Sequence, residues 1–161
     1  VKETPFVIGD FSIMAFDVPH DSIENVGYRI EFEDQTFVLI TDIGRITDTI
    51  REHASRANHL VIEANYDEYL LQAGRYPYYL KERISNGTGH LSNRLSAEFI
   101  GSIYNENLKN IWLCHLSQDN NKPEIAFKAV EEALISTGAE IGKGIRLEAL
   151  SRYKVSGLRE F

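Results

Sequence analysis

The sequence predicts a single α/β domain over residues 1–161, built on a layered sheet with mixed strand directions. Two observations predict it. Short apolar strands come first and fold back on one another, and later strands then alternate with helices. No repeat, low-complexity tract or linker divides the chain.

Phe6-Val7-Ile8 and Phe11 to Phe16 read as strands split by the turn Gly9-Asp10. Tyr28 to Phe32 alternates with period two, and Asp34-Gln35 turns it into the apolar strand Phe37 to Ile40, which ends at Thr41-Asp42. From Arg45 to Arg56, Ile46, Ile50 and Ala54 have helical spacing. Leu60-Val61-Ile62 follows as a buried strand. Tyr66 to Ser85 reads as one or two helices interrupted at Pro77, and Leu91 to Tyr104 as the clearest long helix, with Leu91, Leu95, Phe99 and Ile103 four apart. Ile111 to Cys114 is the next strand. Pro123 opens another helix, and Ile145 to Leu150 reads as a last strand; the tail from Tyr153 to Phe161 carries no clear pattern.

Hydrophobic residues make up 43% of the chain and charged residues 25%, which places it among globular proteins rather than disordered ones. No apolar stretch approaches the roughly 20 residues needed to cross a bilayer, and no basic-then-apolar leader opens the sequence. A lone cysteine, Cys114, excludes an internal disulfide and fits a reducing, cytoplasmic compartment; its apolar neighbours make it a buried thiol. The net charge of −7 argues against charge-driven nucleic-acid binding, but not against an enzyme whose metals supply the positive charge.

Chemistry concentrates in His20, Asp42, His90 and His115. His20 follows one strand, Asp42 ends a second and His115 ends a third, so two imidazoles and a carboxylate can meet at one sheet edge and grip a metal. His90 stands on the glycine-rich turn Asn86-Gly87-Thr88-Gly89 before a helix. There it can cap, or serve as a general acid beside amides that welcome a phosphate. Ser92 or Asn93 can cap the same helix. His53 reads as solvated helix surface and His59 as a loop residue. The tyrosines between 66 and 79 read as packing and interface residues, with base stacking as the alternative. Arg75, Lys81, Arg83 and Arg94 give that region local positive charge.

Val18-Pro19-His20-Asp21-Ser22, Thr41-Asp42-Ile43-Gly44, Glu63-Ala64-Asn65-Tyr66-Asp67, Tyr76-Pro77, Gly89-His90-Leu91-Ser92-Asn93 and His115-Leu116-Ser117 follow one another in order. The combination resembles the metallo-β-lactamase superfamily and, within it, the YycJ/WalJ-like branch of nucleases. The resemblance implies an αββα sandwich with a mixed sheet, of which this chain is the C-terminal part. By position, His20 resembles a ligand of one metal, Asp42 the aspartate shared by two metals, and His115 a ligand of the second. The run from Gly89-His90 to His115-Leu116-Ser117 also resembles that of RNase Z, where the histidine at the place of His90 assists the leaving oxygen. Ser92 and Ser117 are the implied substrate contacts. Tyr66 stands where many relatives have histidine, so no ligand is assigned there.

The superfamily's His-x-His-x-Asp-His loop does not occur in this sequence. The expected partner is therefore the missing N-terminal half of the same domain. The implied activity is hydrolysis of phosphodiesters with two divalent ions, zinc or manganese, on DNA cut from a 5′ end. A phosphodiesterase for small diester metabolites is the alternative enzyme. An inactive half-domain serving as a scaffold, or associating with its own copies, is the alternative outside catalysis.

Overall fold

The computed structural model describes residues 1–158. Its sheet has seven strands in sequential order: β1 (Phe6–Ile8), β2 (Phe11–Asp17), β3 (Val26–Phe32), β4 (Gln35–Ile40), β5 (His59–Glu63), β6 (Asn110–Cys114) and β7 (Arg146–Ala149). The first four pair antiparallel and β4 to β7 pair parallel. The mixed α/β architecture expected from the sequence is thus present. Connection length accounts for the switch: two-residue turns join β1 to β2 and β3 to β4, the loop 18–25 joins β2 to β3, and helical crossovers join the later strands.

The β3–β4 turn is Glu33-Asp34, one residue earlier than expected, because Phe32 pairs with Gln35 and Glu33 takes the left-handed conformation (φ 51°). The first helix, α1 (Asp48–Ala54), is shorter than its apolar spacing predicts. Thr47 caps it, accepting from Ile50 N–H, so Ile46 lies before the helix. Pro77 separates α2 (Glu68–Ala73) from α3 (Tyr78–Ser85). The long helix α4 (Asn93–Ile103) starts two residues after Leu91 because Ser92 is its cap, and α5 (Pro123–Ser136) has proline in its first turn. In the tail, residues 151–158 form no helix or strand, and 159–161 lie outside the described residues.

Strand pairing sorts the side chains into rows. Val38, Leu60, Ile111 and Leu147 form one row, and Ile40, Ile62, Leu113 and Ala149 the next. These join Ile50 and Ala54 of α1, Phe99, Ile100 and Ile103 of α4, and Ala126, Val130 and Leu134 of α5 in one core. Each fully buried Ile or Leu contributes about 1.5–3 kcal/mol. The alternate rows face the other way: Phe6, Ile13, Ile30, Phe37, His59 and Asn110 in one, and Ala15, Tyr28, Leu39, Val61 and Trp112 in the next. On that face Phe6, Ile8, Phe11, Tyr28 and Phe32 are exposed, and Phe11, Ile30, Phe32 and Phe37 line an apolar hollow. Among the described residues no helix is long and apolar enough to cross a membrane.

Candidate metal centre

β4, β5 and β6 are parallel neighbours, so their C-terminal ends share one edge, the usual place for a site in such a sheet. Asp42 follows β4, Glu63 closes β5 and His115 follows β6. β2 runs the same way as β4, two strands over, and brings His20 to that edge. Asp42 and His115 both adopt left-handed backbone (φ 55° and 53°), which turns the chain sharply at the strand end. For residues other than glycine this conformation is uncommon, though Asp and His tolerate it better than most.

His90 arrives from the α3–α4 loop. Gly89 packs so tightly against the end of α3 that a Cβ there would stand 2.2 Å from the Arg83 carbonyl oxygen. His90 N–H donates to the Ile84 carbonyl (2.7 Å), which fixes the loop. Asp42, Glu63, His90 and His115 thereby place four ligand atoms within 4.8 Å of one another. His20 Nε2 lies 3.7 Å from Asp42 Oδ1, so the structure brings together all four residues that the sequence singled out, with Glu63 among them.

Glu63 is the organising group, and its side chain is fully buried. Oε2 accepts from Asp42 N–H (2.9 Å), His90 Nδ1 (3.2 Å) and His115 Nδ1 (2.6 Å), and Oε1 accepts from Leu91 N–H (2.8 Å). Burial alone would push its carboxyl up, but the hydrogen bonds from His115, His90 and Leu91 outweigh that and hold it below the ordinary carboxylate range. The His115 imidazole is raised in turn, first by its bond to Glu63. An ionised carboxylate only accepts, so both histidines carry their proton on Nδ1 and leave Nε2 uncommitted. His20 likewise donates from Nδ1 to the Gly89 carbonyl (2.8 Å), while its Nε2 faces Asp21 Oδ1 (3.4 Å) and Asp42 Oδ1 (3.7 Å). A protein acceptor on one nitrogen with the other left open is how metal-binding histidines are held. Carboxylates and imidazoles held in this way are donors that a divalent ion accepts, so the group fits one.

Sequence reasoning missed Glu63, although the residue was in view at the end of an apolar strand. A charged residue closing the run Leu60-Val61-Ile62, on the same edge as Asp42 and His115, was the available signal. Ser117 lines the cavity beside the centre. Ser92 does not. It is fully buried, caps α4 as the sequence allowed, and donates to Glu68 Oε1 (3.0 Å). Tyr66 is buried and its phenol is pushed up to about 12, mainly by burial, whereas Tyr69, Tyr78 and Tyr79 stand exposed; only the first fits the expected packing role. Burial likewise pushes the Cys114 thiol up to about 12, which fits an inert, structural cysteine.

Two readings are overturned. His53 is buried rather than solvated: it stacks on Phe16 (4.1 Å between ring centres), with Nδ1 facing Arg29 (3.1 Å) and Nε2 facing Glu3 (3.3 Å). His59 is the buried first residue of β5, not a loop residue, held between Gln35 Oε1 (2.9 Å) and Asn110 Nδ2 (2.9 Å). Their partners come from distant strands, which local sequence does not display.

The fold and the strand-end donors define an α/β domain with a candidate metal centre at one sheet edge. The chain belongs to the β-lactamase superfamily: the family model described as "Beta-lactamase superfamily domain" matches residues 1–109. It is 34% identical over 139 residues to exodeoxyribonuclease YycJ of Bacillus anthracis, covering 86% of this chain and 53% of that protein. With exodeoxyribonuclease WalJ of Streptococcus pneumoniae it shares 37% identity over 137 residues, covering 85% and 50%. The chain thus spans about half the length of the curated relatives it matches. Among solved structures, the metallo-β-lactamase fold protein YhfI of Bacillus subtilis superposes with a TM-score of 0.62 at 16% identity, over 83% of this chain and 47% of that one. Zinc-bound PqqB of Methylobacterium extorquens gives 0.60 at 17% identity, over 92% and 52%. At such identities these likenesses concern the fold alone.

Proposed function

We propose that the complete protein is a metal-dependent phosphodiester hydrolase, a DNA exonuclease that works from the 5′ end. The observation that carries the reading is the donor group Asp42, Glu63, His90 and His115 at one strand edge, with a cavity of about 440 Å³ alongside. The names of the curated relatives support DNA as the substrate. His20 would serve one divalent ion and His115 a second, zinc or manganese, with Asp42 contributing to both. Bound divalent ions supply charge stabilisation at the phosphoryl oxygens and a more acidic attacking water. With Nδ1 held by Glu63, a protonated His90 donates from Nε2 to the leaving oxygen, and Glu63 stabilises the imidazolium before transfer.

The domain proposal follows from the bare sheet face. Phe6, Ile8, Phe11, Tyr28 and Phe32 stand exposed on it and need a cover, and the second sheet of an αββα sandwich would provide one while adding metal ligands. Native mass spectrometry of the purified protein tests this, by polypeptide mass, partner chains and metal count. A longer polypeptide or a second, different chain carrying two metals fits the proposal. A metal-free dimer of identical 161-residue chains favours the scaffold reading. Digestion of single-stranded DNA labelled at its 5′ or its 3′ end, beside a panel of small phosphodiesters, tests the substrate. Preferential turnover of the small diesters sinks the nuclease assignment.

A further inference from the structure

The cavity next to the metal donors has walls of unequal charge. On one side Arg83 is paired with Asp21; on the other the Asp119 carboxylate accepts the Tyr76 hydroxyl (2.8 Å). Arg152, from the segment after β7, closes the cavity differently. Its Nη2 donates to the Leu116 carbonyl (2.8 Å), and among the described residues it makes no ion pair. It lines the cavity together with His20 and His90 of the donor edge and with Tyr76 and Asp119 of the far wall. An unpaired guanidinium beside a metal centre, in a chain of net charge −7, is a place prepared for an anion. One nitrogen is anchored to the residue next to His115. The remaining N–H groups keep the fork geometry that suits two phosphate oxygens. Ser117 adds a donor: its oxygen accepts from Asn120 N–H (3.2 Å), which leaves its own hydroxyl hydrogen for the cavity.

We infer that Arg152, assisted by Ser117, holds the phosphate adjacent to the one being cleaved and so positions the strand against the metal centre. The inference rests on the phosphodiesterase reading above and adds the residue that sets the strand's register. Arg152 is a positioning residue, so its loss acts on binding more than on chemistry.

The test is R152A and R152K in the complete, metal-loaded protein, with a single-stranded oligonucleotide as substrate and as anisotropy probe. R152A is expected to raise KM about ten- to a hundredfold, the range for losing one charged hydrogen-bonding pair. kcat and metal content should hold. The slope of log binding against log salt should become shallower by about 0.7, the value for one phosphate contact on a single strand. R152K should restore the slope but not the full affinity, because it keeps the charge and loses the fork. An unchanged KM and slope in R152A, or a loss confined to kcat or accompanied by metal loss, overturns the inference. A wild type that neither binds nor cuts the strand sinks the nuclease reading instead. Titration of inorganic phosphate into the same preparations then decides for Arg152: weaker binding in R152A supports it, and equal or absent binding in both overturns it.

Discussion

The five histidines fall into two regions that share a residue type and little else. At the strand edge, His20, His90 and His115 each give Nδ1 to a protein acceptor, while Nε2 of His20 turns to the carboxylates of Asp21 (3.4 Å) and Asp42 (3.7 Å) at that same edge. Away from that edge, His53 and His59 have protein groups facing both ring nitrogens, and both are buried. One committed nitrogen orients an imidazole for a ligand or a proton. Two nitrogens committed to groups away from the donor edge make it a structural crosslink. What the second ring nitrogen faces, more than burial or neighbouring sequence, separates the chemical histidines from the architectural ones.

The sharpest way to break this contrast is His90→Ala. General-acid removal lowers turnover by ~10²–10⁴-fold, and metal content should stay near wild type. Steady-state rates measured beside metal analysis check both halves. Parallel loss of metal makes His90 a ligand and joins its role to that of His115. Next in size is Glu63→Gln. The amide keeps the volume, but its nitrogen cannot accept from Nδ1 and the orienting charge is gone. Metal affinity should fall about 10–100-fold, the usual cost of removing the group that orients a metal-binding histidine. Competition with a chromophoric chelator measures it, and unchanged affinity would show that Glu63 does not set the histidine orientation.

The architectural pair gives the converse result. His53→Ala removes the ring that packs on Phe16 and the groups facing Arg29 and Glu3. Leaving a buried polar partner unsatisfied costs about 1–3 kcal/mol, which urea denaturation will register. kcat/KM at a temperature where the variant stays folded should be unchanged. A selective drop in activity would remove the boundary between the two sets.

Much of this arrangement was legible because strand ends are local signals. The alternation in Tyr28 to Phe32, the apolar run to Ile40, the break at Pro77 and the proline opening at Pro123 each act within a few residues. The illegible parts are settled by distant pairing. His53 looks solvated between Glu52 and Ala54, and only β2, β3 and the N-terminal segment supply Phe16, Arg29 and Glu3. His59 depends on Gln35 and Asn110, which no local pattern places beside it. Glu63 was hidden for the same reason: its acceptor role emerges once His90, Leu91 and His115 close around it. Ser92 is the converse case: its place just before the helix was enough to read it as a cap, and it caps α4. Helix α1 lost its first turn to a threonine cap that apolar spacing ignores.

The smallest effect is also the one that sets the two regions directly against each other, through pH. In the metal-stripped protein the His115 value is raised, chiefly by its bond to Glu63, so His115 stabilises the fold below the ordinary imidazole value of about 6.5. That stabilisation is lost as pH rises through the raised value. His59 is lowered by burial; the unfolded chain therefore takes up its proton first, and stability falls as pH drops below about 6.5. Glu63, held low despite its burial, adds stability above its ordinary carboxylate value that disappears as pH falls through the depressed one. Denaturation midpoints between pH 4 and 8 should therefore show opposite trends. The advantage of wild type over His115→Gln shrinks with rising pH, and its advantage over His59→Gln grows. Parallel slopes would mean that both imidazoles experience the same kind of environment, and the division drawn from what the second ring nitrogen faces would fail at its most direct point of comparison.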